Sequence, residues 1–423
     1  MKKIKWWYLL LTAFFYYPIL LNQKIVTYAV VYLVPLAFFI LHYQWTLESI
    51  HRIMMSKLRY AVWAWGIVTS ASIIVPILMK TNDFSYFTNA PIDIVKFSYR
   101  SLFLLGVYEI YVDKEKDVKM FMRYFIYSCC LYILGTVIFL IFPQVKEFWI
   151  GIISIPELDM THIRKSYYAT RFGWSGFSGF SCTLWCCMCV IFTIYLIMDS
   201  YEKKQNIYKE IIALVWLLVG NMFYGRTGLV LSIICICIML VYFLRRKPAY
   251  IVWVIMLASI GIISLLILKE QSDKVRNWYN WCFSVINNFV SSGRIGTDST
   301  DILFGRMLFI PKIETIILGD GKFTRPDGLY YMQTDSGIMR PMLFYGVFFM
   351  LIGFYILWNL IINLRKSNQK KRNIKLQIMM FNLFLVWALF EIKGPTFYLM
   401  ATYLLPITIL FDEENSKEEK KDD

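Results

Sequence analysis

Arginine is the residue type that carries chemistry in this chain. Arg226 stands in Gly225-Arg226-Thr227-Gly228 between two apolar runs, and Arg340 stands about one turn inside another. Lys96 and Arg100 are four apart, which puts them on one helical face. Arg171, Arg294, Arg306 and Arg325 fall in or beside the polar stretches between apolar runs. A guanidinium beside hydrocarbon is costly, so it marks function unless it snorkels to headgroup phosphates or pairs with an acid. For Lys96 and Arg100 both readings stand; for Arg226 and Arg340 the functional one is preferred. Arginine's planar fork meets phosphate oxygens two at a time, so several arginines facing one cavity suit a diphosphate. A diphosphate is also a leaving group, and holding its developing charge would be the main catalytic contribution to glycosyl transfer.

Such a transfer needs a base. Asp335, beside Ser336 and Gly337, is the expected carboxylate to position or deprotonate an acceptor hydroxyl. Its structural alternative is an N-cap for the following helix. His162 is a second candidate base, with an ordinary loop histidine as the alternative. Asp298 and Asp301 lack the spacing of a calcium loop. The cysteines from Cys182 to Cys189 match no zinc pattern and read as packing. No metal and no other cofactor is expected.

The elements that must position these residues are membrane helices. The chain has 423 residues, 58% hydrophobic and only 17% charged, where soluble domains are about 25% charged. This balance excludes a soluble enzyme, a disulfide-stapled domain and a disordered chain. At about 20 apolar residues per span, about twelve spans are expected: near 6–21, 25–41, 58–79, 94–112, 121–142, 177–198, 208–224, 227–244, 250–268, 337–358, 376–391 and 396–411. The first is read as a membrane helix rather than a removed signal peptide. The expected fold is all-α and polytopic, with residues 1–423 forming a single membrane-embedded domain.

The net charge of +15 is a topology signal rather than a nucleic-acid surface. With a cytoplasmic N-terminus, the short outer connections carry only Lys24, Lys80, Arg226 and Lys393, and the inner ones hold the basic clusters. Both termini are then cytoplasmic, with 412–423 as a tail. Two outer segments are longer, 143–176 and 269–336. A loop of the second one's length is expected to be functional. Leu303, Met307, Ile310, Ile313 and Ile317 predict an amphipathic helix over 302–317.

This layout resembles the O-antigen polymerase and ligase superfamily, which includes the Wzy-type polysaccharide polymerases. Asn221-Met-Phe-Tyr-Gly-Arg226-Thr-Gly228 looks like the family's Ser-Arg-Thr-Gly turn, with Gly225 for the serine. Arg171-Phe-Gly-Trp-Ser-Gly-Phe-Ser-Gly179 looks like its Arg- and Gly-rich segment. Ile317-Leu-Gly-Asp-Gly321 looks like its Leu-Gly-x-Gly element, and Thr334-Asp-Ser-Gly337, with Gly346, like the start of the next helix. Two features depart from the pattern. Gly293-Arg294 and Gly305-Arg306 compete for the family's Gly-Arg place, and neither is followed by its usual Trp. No histidine occurs between Lys269 and Ser336, which favours polymerase over ligase.

The resemblance implies a bundle like that of the GT-C glycosyltransferases, in the bacterial cytoplasmic membrane. It implies a metal-independent enzyme that joins undecaprenyl-diphosphate-linked oligosaccharides into a capsule, O-antigen or exopolysaccharide. Arg226, Arg306 (or Arg294) and Asp335 would be catalytic. Arg171, Arg294, Arg325, Arg340, Arg100 and Lys96 would bind substrate. The partners implied are the lipid-linked glycan donor and acceptor, the bilayer, a chain-length regulator and a flippase. The alternatives are a flippase for the same lipids and an O-antigen ligase. A flippase needs a charged central cavity, and the charged spans here are few.

Overall fold

The fold is that of a computed structural model, which describes residues 4–164, 170–244, 266, 269–270, 273–293, 296–365 and 373–422. The helices in chain order are α1 (Trp6–Tyr16), α2 (Lys24–Tyr28), α3 (Val34–Leu41), α4 (Tyr43–Met55), α5 (Arg59–Leu78), α6 (Ser85–Val107), α7 (Val118–Ile141), α8 (Pro143–Ile152) and α9 (Glu157–Arg164). A two-stranded hairpin follows, β1 (Phe172–Gly173) and β2 (Gly176–Phe177), antiparallel with Phe172 opposite Phe177. Then come α10 (Phe180–Glu202), α11 (Tyr208–Tyr224), α12 (Arg226–Leu244), α13 (Asp273–Cys282), α14 (Ser284–Ser292), α15 (Asp298–Ile302), α16 (Ile313–Leu318), α17 (Met339–Ile362), α18 (Ile374–Lys393) and α19 (Phe397–Asp422).

Seven helical stretches among the described residues are long and apolar enough to cross a membrane: Lys24–Leu41, Arg59–Leu78, Val118–Ile141, Phe180–Glu202, Arg226–Phe243, Met339–Ile362 and Ile374–Lys393. The protein is therefore an all-α, multi-pass membrane protein. Only intrahelical bonding satisfies so many backbone polar groups in hydrocarbon without a closed barrel. Of the other spans expected, Trp6–Tyr16 is an apolar helix of 11 residues, and α6, α11 and α19 cover the fourth, seventh and last. Apart from Leu266, the stretch 250–268 lies outside the described residues.

The chain divides into two compact units. The first comprises Met1–Leu11, Ala29–Met122 and Asp298–Asp423. Here α5 packs along α17, and α6 along α19. Tyr86, Phe323, Phe344, Tyr345 and Met350 form a buried core with Val68 and Val75 of α5. At the far end of α6, Glu109 is 1% exposed and meets Arg52 and Lys116 at 3.0 and 3.2 Å. The same two cations bridge to Glu413 of α19, each at 2.7 Å. Carboxylates and cations alternate in this network, so the buried Glu109 charge is compensated.

The second unit comprises Thr12–Tyr28 and Arg123–Thr297. Its axis is α10, buried along almost its whole length, with α11 and α12 against it. Trp185 of α10 stacks on Tyr17 at 4.7 Å between ring centroids. Arg123 and Glu210 form a 3.1 Å ion pair between α7 and α11. Cys182, Cys186, Cys187 and Cys189 are buried free thiols on α10, in keeping with small, polarizable packing residues.

The stretch 302–317 is not one helix. It is α15, a π-turn over Leu303–Met307 and, after an irregular 308–312, the short α16. Pro311 explains the break: its ring and missing N–H stop a helix running through.

Candidate functional site

In the second unit, the site starts from the Gly225 break between α11 and α12. The Asn221 side chain clamps that break. Its Oδ1 accepts from Thr183 Oγ1 at 2.7 Å, and its Nδ2 donates to Ser232 Oγ at 2.9 Å. Asn221 is fully buried, so a polar residue in this apolar run is satisfied rather than exposed to lipid. The clamp delivers Arg226 at the first position of α12. From the other side, α13 is tied to the end of α11: Trp278 Nε1 and Cys282 Sγ both donate to the Met222 carbonyl, at 3.2 and 3.1 Å.

Trp281 of α13 therefore lies beside Arg226, whose guanidinium carbon is 5.2 Å from the ring centroid. Arg171, just before the hairpin, sits over the same ring at 4.7 Å. Arg226 Nη1 also donates to Ser284 Oγ. Two guanidinium groups on one half-buried indole make a positive cluster on an aromatic face, suited to an anion. The structure thus joins Arg171 and Arg226. Arg294 lies outside the described residues. His162 sits on α9 with its ring stacked on Phe177 at 5.6 Å.

The first unit holds a second arrangement, around Arg340. It is the second residue of α17 and only 9% exposed. Its guanidinium carbon lies 3.8 Å from the Phe323 ring centroid and 3.9 Å from that of Tyr330, a cation held between two aromatic faces. No carboxylate among the described residues is within ion-pair distance of it, and its Nε is buried without a hydrogen-bond partner. The loop that carries Phe323 is pinned by Asp83, which accepts from the backbone N–H of Phe323 and Thr324 at 2.6 and 2.9 Å. Burial alone would raise the Asp83 carboxyl, but the hydrogen bonds from Ser85, Thr324 and Phe323 outweigh it and hold the pKa below its ordinary value.

Two glycines set the height of that loop. Gly346 interrupts α17 with φ of 82°, and a Cβ there would strike the Ile317 carbonyl. Gly319 has φ of 74°, and a Cβ there would strike the Phe344 carbonyl. The freed carbonyls are used: Leu343 and Phe344 accept from the N–H groups of Asp320 and Gly321 at 2.7 and 2.9 Å. The Leu-Gly-x-Gly segment and Gly346, separate in sequence, are one packing unit.

Asp335 lies in the turn before α17. Its Oδ1 is buried and has no hydrogen-bond partner. Burial pushes the carboxyl above its ordinary value, against the pull of Lys393 and Arg340. Asp335 does not cap α17. The Ser336 hydroxyl accepts from the N–H groups of Ile338 and Met339, at 3.4 and 3.5 Å. Thr334 is buried and donates to the Met307 carbonyl at 2.9 Å, tying this turn to the π-turn that carries Arg306. Arg306 itself is exposed. Arg325 is spent within its own loop, in a 2.8 Å ion pair with Asp327. On α6, Lys96 pairs with Asp93 at 3.1 Å, and Arg100 lies over Phe97 at 4.4 Å with its Nε donating to the Lys96 carbonyl.

The sequence reading missed several residues of these arrangements. Trp281, Phe323 and Tyr330 hold the guanidinium groups. Tyr86 and Tyr345 share a 2.7 Å hydroxyl contact in the core below. Glu391 of α18 is 2% exposed. Its Oε2 accepts from the Thr396 N–H and hydroxyl at 3.0 and 2.8 Å, while Oε1 has no hydrogen-bond partner and faces Gly337. A lone glutamate in an apolar run was the available signal.

The chain matches no protein-family model, no curated protein and no solved structure.

Proposed function

We propose that this protein is a polysaccharide polymerase of the cytoplasmic membrane. It joins undecaprenyl-diphosphate-linked oligosaccharide units on the outer face, and the product is a surface polysaccharide. In this reading the chain spans the membrane about twelve times, both termini are cytoplasmic, and 269–336 is an outer loop.

One observation carries the reading most. Arg340, a buried guanidinium with no carboxylate at ion-pair distance among the described residues, stands within electrostatic reach of Asp335, a carboxyl raised by burial. An anion holder and a base of raised affinity for protons are the two groups that glycosyl transfer from a diphosphate requires. The Arg171–Trp281–Arg226 cluster supplies a second anion-holding arrangement.

The transfer runs as a single displacement. The acceptor hydroxyl oxygen forms a bond to the anomeric carbon of the donor glycan. The bond from that carbon to the diphosphate oxygen breaks, and its electron pair leaves with undecaprenyl diphosphate. Asp335 takes the hydroxyl proton, and guanidinium groups take up the charge gained by the leaving group.

The test is reconstitution. Proteoliposomes holding the purified chain are given lipid-linked repeat units extracted from a strain that lacks it. Longer lipid-linked glycan, with one undecaprenyl diphosphate released per bond formed, is expected. Units that stay single would contradict the reading.

A further inference from the structure

The chain between the π-turn and the Leu-Gly-x-Gly turn is apolar and bare. Ile310, Ile313, Ile317 and Leu318 are 93, 71, 58 and 57% exposed. A cluster of this kind marks contact with a partner or a membrane, and its position along α17 decides which. Met307 is tied above α17, because its carbonyl accepts from Thr334 in the turn before that helix. Ile317 lies lower, with its carbonyl against Gly346. The chain then climbs. Gly319 packs on Phe344 and Tyr345, and the Gly321 N–H donates to the Phe344 carbonyl at 2.9 Å. Phe323 and Thr324 reach Asp83, just before α6. The segment descends beside α17 and returns, with its low point at Ile317.

That low point falls within hydrocarbon. The 24 residues of α17 span about 36 Å, against a hydrocarbon core of about 30 Å. Gly346 lies about 10 Å from the first residue of α17 at 1.5 Å per residue. Even with the whole excess of about 6 Å at this end, Gly346 and the Ile317 carbonyl stay inside the core. Phe348, two residues deeper on this membrane-spanning helix, is 64% exposed, so Ile317 is bare at the depth of a lipid-facing side chain.

Irregular backbone at that depth is tolerated only where its polar groups are met. Here the N–H groups of Ile316 and Gly319 bond to the carbonyls of Lys312 and Thr315, at 3.0 and 2.9 Å. Those of Asp320 and Gly321 take the α17 carbonyls freed at the Gly346 break. Ionisable residues flank the low point. Lys312 and Glu314 stand on the descending limb, where the Lys312 stem can carry its ammonium to the headgroups. Asp320 stands on the rising limb, and its carboxylate accepts from the Thr315 and Tyr331 hydroxyls at 2.7 and 3.1 Å. Thr315 to Gly319 carry no charge.

We propose that residues 310–321 form a re-entrant segment that dips into the hydrocarbon of one leaflet beside α17, with Ile313, Ile317 and Leu318 against lipid. This holds whatever reaction the protein performs. The rising limb leads into Phe323, so the membrane anchor also sets the ring on which Arg340 lies.

Depth is read directly with a nitroxide label. Of the cysteines, only Cys130 and Cys237 are not buried, so Cys130→Ser with Cys237→Ser is the background. Full-length protein in vesicles of phosphatidylcholine and phosphatidylglycerol is labelled at Ile317→Cys or Ile313→Cys. The references are Phe348→Cys on α17 and Leu329→Cys, 59% exposed in the turn closed by the Arg325–Asp327 ion pair. Collisions with oxygen, which concentrates in hydrocarbon, are compared with collisions with a neutral nickel chelate, which stays in water. The oxygen-to-nickel ratio at Ile317 should match Phe348 and exceed Leu329 several-fold, with Ile313 between the two references. Ratios at both positions equal to that of Leu329 would overturn the insertion. Labels shielded from both reagents would overturn lipid as the covering partner and indicate a second copy of the chain.

Discussion

Arg171 and Arg226 place their guanidinium groups over one ring, 4.7 and 5.2 Å from the Trp281 centroid. Two like charges share an aromatic face, and Arg226 also donates to Ser284. Two guanidinium forks on one ring can both reach an anion bound beside it. The proposed chemistry needs that property.

Arg226→Lys keeps the charge and loses the planar fork. A charge-assisted hydrogen bond contributes about 1.5–3 kcal/mol, or roughly ten- to hundredfold in rate. Polymer formation should fall by that much while the protein remains folded. Full-length polymer from this variant would remove Arg226 from the site. Trp281→Phe should retain more activity than Trp281→Ala, because a ring face remains.

Asp335 links pH to both stability and activity. Its folded-state pKa is raised by burial, so the folded chain binds this proton more tightly than the unfolded one. Its stabilising contribution is full below the ordinary carboxylate value and is lost as pH rises through the folded value. Asp335→Asn should therefore flatten that part of the stability–pH curve and be no less stable at neutral pH, while losing transfer. Thermal unfolding of both proteins across acid to neutral pH checks this. An unchanged curve would contradict the assignment.

Gly346→Ala meets two obstacles, a φ of 82° and the Ile317 carbonyl. Strain of this kind costs about 1–3 kcal/mol, and the loop carrying Phe323 should shift with it. The unfolding temperature in detergent should drop, and polymer length should shorten. Gly353→Ala, a helical glycine of α17 whose Cβ would have only ordinary contacts, should do neither.

Glu109 is 1% exposed and held by Arg52 and Lys116. Removing one partner with Arg52→Met leaves a buried carboxylate half-compensated, at a cost of about 1.5–3 kcal/mol. Glu413→Gln removes a more exposed carboxylate and should cost less. Chemical denaturation of the two variants ranks them; the reverse order would contradict the network's assignment to Glu109.

Much of the framework was legible in sequence because hydrocarbon imposes long apolar runs. The Gly225 break and the position of Arg226 at a helix start were readable for the same reason. The partners of the arginines were not. Trp281 is more than a hundred residues from Arg171, and only packing of α13 on the end of α11 brings them together. Asp83 reaches Phe323 across 240 residues, and no local periodicity encodes a loop cap. The 302–317 stretch shows the limit of spacing arguments: its apolar residues have helical period, but Pro311 divides them. Asp335 was legible as a carboxylate just before the next helix, yet the capping role that this place suggests belongs to the adjacent Ser336.

The most direct measurement is the length distribution of lipid-linked and surface glycan in cells lacking the protein, set beside cells carrying wild type or Arg340→Gln. The account predicts single repeat units exposed on the outer face in the deletion strain. It predicts the same single units with Arg340→Gln, and long chains with wild type. Units trapped on the inner face would indicate a flippase, and long chains held on the carrier lipid a ligase. An unchanged ladder in the deletion strain would contradict the account outright.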